Sequence, residues 1–515
     1  MVIGVGNGIL IDKLVRNDIF DKNVHFLFIE PFSDIDLSQE TKNIILLNQH
    51  KLSFFHLSDF SSLLFSKYLA RFVTIPVIIL LHPNYLKANK RKIEEIISIL
   101  KEGIEMQKLF NNTESRFAVD WIVEPLLNLE MVEESINLRH YKDRFEGETA
   151  ILVSAGPTLH QNMPFVERMQ KSCHLFAVGP ALRPLMKNGI KPDYALSLDS
   201  SDTNYETHFK DINYDGVLIY ETMSNHNIQK EHKGKKVVSK ALTEQVTPLV
   251  FKDIFGFPNS VPSVAIFALQ VIKFLGFNEV IFVGQDLALV GGKYYAEGVK
   301  NHTGMINTEE ELSVINNRGE KVGTTKALKL FLDVFETIIK EFPKDSFRII
   351  NISEFGARIE GTEFLSPDKI VKNTVKKEIM IPEFPNEPIH PVNEFLNEMV
   401  ENLILLKEII KNADKKIENH LENQIFSKED QMEMLNTFNE IAENKIVEQI
   451  LLSNLTYIFD NIINKVVYYD QKSEYTLEDL FSITKELSSL YKIMDKYLEG
   501  IIKDSRITKI FENGV

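Results

Sequence analysis

With 515 residues the chain is too long for one ordinary hydrophobic core, so two to four domains are expected. Hydrophobic residues make up 44% and charged residues 25%, the balance of a globular chain rather than a disordered one. A formal charge of -15 argues against a surface built on nucleic-acid phosphates, although a local pocket can still hold a small anion. The one cysteine, Cys173, supports neither a disulfide framework nor a zinc site and fits a reducing compartment; its apolar neighbours point to an inert core thiol. Residues 1–5 lack the charged and apolar regions of a signal peptide, and the longest apolar stretch, 72–81, is about half a bilayer span. The expected protein is soluble and cytoplasmic, without a membrane span.

The first region, 1–141, opens Val2-Ile3-Gly4-Val5-Gly6-Asn7-Gly8, followed by a helical pattern and the apolar run 25–29 that ends in Glu30. Strand, glycine turn, helix and acid-capped strand form the start of a Rossmann-like βαβ unit. The spacing is GxGxG rather than GxGxxG, so a structural or assembly domain is favoured over a working dinucleotide site.

The second region, 145–378, alternates short buried strands with helices. Strands are expected at 149–153, 174–178, 194–198, 216–220, 279–283 and 348–352, and helices at 163–171, 182–188, 264–275 and 325–342. This order predicts an α/β fold with a doubly wound, mostly parallel central sheet. A linker, 379–391, carries Pro382, Pro385, Pro388 and Pro391 at every third position, the signature of an extended polyproline segment. Beyond it, 392–515 has helical periodicity throughout, with three antiparallel helices expected at 392–424, 428–467 and 475–512 in a C-terminal helical bundle.

In a doubly wound sheet ligands bind beyond the C-terminal ends of the strands, so the loops there carry the candidate chemistry. The first is Ser154-Ala155-Gly156-Pro157-Thr158, where Gly156 permits close backbone approach and Thr158 offers a hydroxyl beside free N–H groups. The second, at Gly179, nearly repeats it. The third holds Asp199 and Ser200, placed to accept from a ribose or sugar hydroxyl. In the fourth, Gly284-Gln285-Asp286, an acid follows directly on a buried strand, which is costly unless it is paired or binds a ligand. The scattered acids show no spacing for a tight metal site, and none is expected.

Four motifs together resemble the motility-associated factor (Maf) family of flagellin glycosyltransferases: Ser-Ala-Gly-Pro-Thr-Leu; Gly-Ile-Lys-Pro-Asp-Tyr followed by Leu-Asp; Leu-Gly-Phe-Asn-Glu-Val-Ile-Phe-Val-Gly-Gln-Asp-Leu-Ala; and Asn-Ile-Ser-Glu-Phe-Gly-Ala-Arg-Ile-Glu-Gly-Thr. The resemblance covers the central region best and implies a domain related to bacterial sialyltransferases. The implied reaction moves a nonulosonic acid, pseudaminic or legionaminic in type, from its CMP-activated form to Ser or Thr of flagellin. No cofactor is implied, and the partners are flagellin, with or without its export chaperone, and the CMP-sugar. By position, Gly156, Pro157 and Thr158 match the nucleotide-binding turn, and Gly284 to Asp286 the second nucleotide-side loop. The tyrosine that helps hold the leaving phosphate in sialyltransferases falls on Tyr294 or Tyr295, where the family often has histidine.

Candidate bases for the acceptor hydroxyl are Asp286, His302 and His226, with Asp199 behind them; His160 adjoins the nucleotide turn. Arg318 and Lys321 are candidates for the sugar carboxylate or the phosphate. Two other readings are open: an enzyme like the pterin pyrophosphokinases, which share the central loops, or a non-catalytic flagellar assembly protein.

Overall fold

The computed structural model describes residues 1–16, 25–49, 51–70, 77–258, 261–299, 312–343, 347–372, 374–378, 384–423, 428–451 and 477–512. The described chain forms two compact units, Met1–Ser115 and the residues from Arg116 onward. The second unit holds both the large sheet and the C-terminal helices.

The first unit is built on four strands, β1 (Val2–Ile3), β2 (Phe26–Glu30), β3 (Leu52–His56) and β4 (Leu80–Leu81), paired in the order β3-β2-β1-β4 and all parallel. The expected glycine turn follows β1, and Gly4, Gly6 and Gly8 all have positive φ, which L side chains rarely adopt. Its anion place is filled from within. Glu30 is fully buried, and its Oε2 accepts from the N–H groups of Val5 (2.9 Å) and Gly6 (3.0 Å) and from the Tyr85 hydroxyl (2.8 Å). Its Oε1 accepts from Phe32 N at 3.0 Å. Burial and the Glu30 carboxylate push the Tyr85 phenol up to about 12. The turn thus uses the chemistry of a phosphate-binding loop on its own carboxylate.

The second unit carries β5 (Ile136–Asn137), β6 (Thr149–Val153), β7 (His174–Val178), β8 (Tyr194–Ser197), β9 (Val217–Glu221), β10 (Lys236–Ala241), β11 (Gly256–Phe257), β12 (Glu279–Val283), the hairpin β13 (Leu312–Ile315) and β14 (Lys321–Thr324), β15 (Arg348–Asn351) and β16 (Glu363–Phe364). The sheet order is β11-β10-β9-β8-β7-β6-β12-β15-β16, with β5 beside β10. Every pairing in this sheet is parallel. Helices Val264–Phe274 and Lys326–Glu341 fall where the periodicity placed them, and Leu159–Met169 and Gly179–Lys187 begin earlier than the expected 163 and 182, the first directly after the loop that follows β6 and the second directly after β7. β6, β7 and β12 are nearly all apolar because sheet neighbours and helices on both faces remove them from water. Cys173 lies at the foot of β7, fully buried, and burial pushes its thiol up to about 12.

The C-terminal helices Val392–Asn423 and Leu477–Ile502 run antiparallel: Lys407 pairs with Glu499 at 3.5 Å and Lys492 with Glu418 at 2.8 Å. Their seam is Leu403, Leu406, Ile410, Leu487, Leu490 and Leu498, all buried. Each contributes about 1.5–3 kcal/mol of burial energy, which holds the two helices together. The helix expected at 475–512 is broken. A second helix, Ser505–Glu512, starts after Asp504, whose Oδ1 accepts from Arg506 N at 2.9 Å and so competes with the helical backbone. The helix expected at 428–467 is described only as Lys428–Ala442 and a short π turn, Val447–Leu451. No helix among the described residues is long and apolar enough to cross a membrane.

Arg506 ties this terminal segment to the helix Asp120–Glu134. Its guanidinium donates to Asp120 (2.6 Å), Glu124 (2.8 Å) and Asp504 (2.7 and 2.9 Å). Glu124 is fully buried and also accepts from the backbone N–H of His226 at 2.7 Å. Burial raises the Glu124 carboxyl, and His226 and Arg506 oppose the rise. Arg506→Ala is expected to cost about 2 kcal/mol, because a buried charge loses its partner. Arg506→Lys should recover only part of that, since one ammonium cannot span three carboxylates. Urea denaturation midpoints check this, and equal midpoints for Ala and Lys would disprove the tie.

Candidate functional site

The chain leaves β6 on one side of the sheet, toward β7, and leaves β12 on the other, toward β15, although β6 and β12 are neighbours. This is a topological switch point, where the loops beyond the strand ends part and open a crevice. The loops that follow β6 and β12 are 154–158 and 284–286, so the fold brings together the two segments singled out as nucleotide-side.

They are locked to each other. Gly156 N donates to Gly284 O at 2.8 Å, and Ser154 Oγ to Gln285 Oε1 at 2.5 Å. Asp286 takes both donors of Thr158: the backbone N–H on Oδ2 (2.7 Å) and the hydroxyl on Oδ1 (2.5 Å). Ser353, beyond β15, lies 3.1 Å from the same hydroxyl. Asp286 is 2% exposed; burial raises its carboxyl above the usual range while the Thr158 bonds oppose the rise. Both oxygens of this catalytic candidate are therefore engaged in holding Thr158. A Cβ added to Gly156 would stand 2.5 Å from Asp286 Oδ2 and from Gly284 O, so the loops approach too closely for any side chain there. Gly284 has φ 64° and Leu287 φ 50°, a sharp left-handed course that turns the chain back over the crevice.

That returning segment carries the two tyrosines. Ala296 N donates to Ala155 O at 2.9 Å, which lays residues 294–296 against the first loop. The rings of Tyr294 and Tyr295 stand 4.7 Å apart. Burial raises both phenols, and the charge of Asp199 raises Tyr295 further. Both phenols stay protonated at neutral pH and can donate hydrogen bonds.

Asp199 is exposed at the end of β8, and its Oδ1 accepts from Ser201 N at 2.7 Å. Ser200 is buried, and its carbonyl accepts from Asn225 Nδ2 at 3.1 Å. Asn204 and Asn225 hold this loop, donating from Nδ2 and from the backbone N respectively to Asp199 O. Gly179 heads the helix after β7; a Cβ there would stand 2.8 Å from the Phe209 ring. Pro157 is half-buried in the first loop, and His160 is exposed one turn on, where its charge is felt by Glu297.

Arg318 and Lys321 lie on a hairpin tied to this group: Leu289 N donates to Gly323 O at 2.8 Å and Asn317 Nδ2 to Ser353 O at 2.8 Å. Arg318 sits in the turn between β13 and β14 over the Phe355 ring (5.4 Å), with Glu354 at 3.7 Å and Glu320 at 3.9 Å. Asn317 N also donates to Gly356 O at 3.2 Å, and a Cβ on Gly356 would stand 3.0 Å from Asp286 Oδ1, so the hairpin rests on the segment that packs against Asp286. Lys321 begins β14. His226 is occupied by Glu124, Nδ1 to Oε2 at 3.0 Å. His302 lies outside the described residues. Asn204, Asn225 and Ser353 were not foreseen. Asn225 caps the helix His226–Glu231, a cap signal legible in Ser224-Asn225, and Ser353 lies within the Asn-Ile-Ser motif. Among the described residues no group of three or more His, Cys, Asp or Glu side chains is placed to hold a metal ion.

Comparison with known proteins follows the same geometry. Residues 125–292 match the family model described as 6-hydroxymethylpterin diphosphokinase MptE-like, which spans the strands and both loops of the switch point. The structure of the Maf glycosyltransferase from Magnetospirillum magneticum AMB-1 superposes with a TM-score of 0.56 at 12% identity, over 100% of this chain and 81% of that one. No curated protein matches the sequence. The chain thus has the fold of that glycosyltransferase.

Proposed function

We propose that the protein is a cytoplasmic glycosyltransferase that moves a nonulosonic acid, of the pseudaminic or legionaminic type, from its CMP-activated donor to Ser or Thr of flagellin, in support of flagellum assembly and motility. The observation that carries this reading is the interlocked pair of loops, 154–158 and 284–286, at the switch point of a chain with the Maf glycosyltransferase fold. In this reading the nucleotide lies along Gly156, Pro157 and Gly284. The phenols of Tyr294 and Tyr295 donate to the phosphate oxygens as the sugar–phosphate bond breaks, which stabilises the charge that develops on CMP. The acceptor oxygen bonds to the anomeric carbon, CMP departs, and a carboxylate takes the hydroxyl proton. Asp199 suits that last role, because it is exposed in the loop just beyond the C-terminal end of β8. The proposed partners are flagellin, with or without its export chaperone, and the CMP-sugar; no cofactor is invoked.

The test is intact mass of flagellin after incubation with a verified CMP-sugar. A rise by one or more sugar residues is expected, and an unmodified mass would overturn the reading. The family model favours a second reading, a pterin diphosphokinase. Thermal shift separates the two: CMP at a hundred times its Kd should stabilise the protein by about 2.7 kcal/mol, whereas ATP with magnesium should do so for a diphosphokinase.

A further inference from the structure

Beside the Asp199 loop, on its Ser201–Asp202 side, lies a cavity of about 390 Å³. Its other walls come from the end of the helix Lys90–Phe117, the start of the helix Asp120–Glu134 and the head of the C-terminal helix. The volume lies at the low end of ligand sites. Its electrostatics differ from those a sugar-nucleotide needs. Asp120, Asp202 and Asp504 line it against Arg116 and Arg506. Arg506 is no free cation, because its guanidinium is shared among Asp120, Glu124 and Asp504. The wall is therefore net acidic and disfavours an anionic donor. It also offers the hydroxyls of Ser201 and Ser505 and the Phe117 ring.

From this juxtaposition we infer that the cavity seats the acceptor: a neutral or basic, Ser/Thr-bearing stretch of polypeptide that reaches the transfer site across the Ser201 side of the Asp199 loop. The inference rests on the glycosyltransferase reading for what happens next, and on the cavity alone for the binding. The network behind it gives the seat a fixed relation to the site. Asn225 Nδ2 holds Asp202 Oδ1 at 3.0 Å while Asn225 N holds Asp199 O, so cavity wall and candidate base share one anchor. Next to Asn225, His226 is held by Glu124, and Glu124 by Arg506, which fixes the opposite wall to the same frame.

The molecule carries its own reporter. Trp121 is the sole tryptophan, and its ring stacks on Phe117 at 6.4 Å between centroids. A short synthetic Ser/Thr peptide flanked by lysines, titrated into the full chain, is expected to change Trp121 emission saturably. The same peptide flanked by glutamates, or the lysine peptide with the full-chain variant Ser505→Phe, which fills the cavity from an exposed position, is expected to bind at least about tenfold more weakly. A urea midpoint equal to that of the wild type checks that the variant is folded. Absence of binding to the wild type, equal binding by Ser505→Phe, or equal binding of the glutamate peptide would each overturn the acceptor seat. If CMP fails to stabilise the wild type while peptide binding is lost in Ser505→Phe, the proposed reaction falls and the peptide site stands.

Discussion

Asp286→Asn is expected to keep most of the activity and stability that Asp286→Ala loses. The aspartate supplies two acceptors to one residue, the Thr158 N–H and the Thr158 hydroxyl, in a place 2% exposed. Asparagine meets the same demand once the hydroxyl turns. Its carbonyl accepts from the N–H, its amide donates to the hydroxyl oxygen, and the hydroxyl proton goes to Ser353, already 3.1 Å away. Alanine leaves the N–H buried without an acceptor and opens a gap between the loops, at a cost of about 3 kcal/mol. The paired variants also separate two roles. A positioning carboxylate predicts turnover by the asparagine variant within about tenfold of wild type. A general base predicts a fall of about a hundredfold or more with either substitution, because the amide cannot take a proton. Turnover and urea midpoints of both variants decide it: a stable but inactive Asp286→Asn would return the residue to the chemistry.

How much of this was legible in the sequence follows from what each signal encodes. Strands buried on both faces are written as short apolar runs, so β6, β7 and β12 were located to the residue, and the alternation with helices led to the parallel sheet. β10, Lys-Val-Val-Ser-Lys-Ala, was missed because lysines interrupt its pattern, and β13 and β14 because a hairpin has no crossover helix to announce it. The two loops proposed to hold the nucleotide are legible as motifs. Their mutual lock is not, since sequence spacing carries no information about which loop pairs with which across a 128-residue separation. The glycine turn after β1 shows the same limit from the other direction. Its GxGxG spacing favours a structural turn over a dinucleotide site, but spacing cannot name the anion the turn receives, which is Glu30, the residue that a dinucleotide site would turn outward to a ribose. Arg506 lay in a run of unbroken helical periodicity, and only Asp504, three-dimensionally opposite Asp120 and Glu124, reveals why the helix stops there.

Glu221→Gln is expected to stabilise the protein at alkaline pH and to flatten its pH profile. Glu221 ends β9, 5% exposed, on the same sheet face as its register partner Ser239 and close to the fully buried Glu244. Burial first, then the charge of Glu244, push its carboxyl up to about 8. Glu244 has better company: Thr247 N at 2.7 Å and the Thr222 hydroxyl at 3.0 Å both donate to it, which leaves Glu221 as the member that holds the proton. The sign follows from linkage. The folded carboxyl titrates above the unfolded one, so the unfolded chain binds fewer protons between about pH 4.5 and 8. The contribution of Glu221 is fully present below pH 4.5 and is lost as pH rises through 8. Glutamine mimics the protonated acid at every pH, and above pH 8 it should be more stable than wild type by on the order of 3 kcal/mol. Urea midpoints at pH 5 and pH 8.5 measure the difference, and parallel profiles for the two proteins would refute it. The effect should reach the candidate site, because Thr222 and Ser224 follow Glu221 directly. Ser224 Oγ meets Ser197 Oγ at 2.5 Å, and the carbonyls of Thr222 and Ser224 both hold Asn128 Nδ2. Glu221 thus lies on the segment that ends in Asn225, the residue that carries the Asp199 loop, and under the proposed function CMP affinity is expected to weaken over the same pH range in the wild type but not in Glu221→Gln.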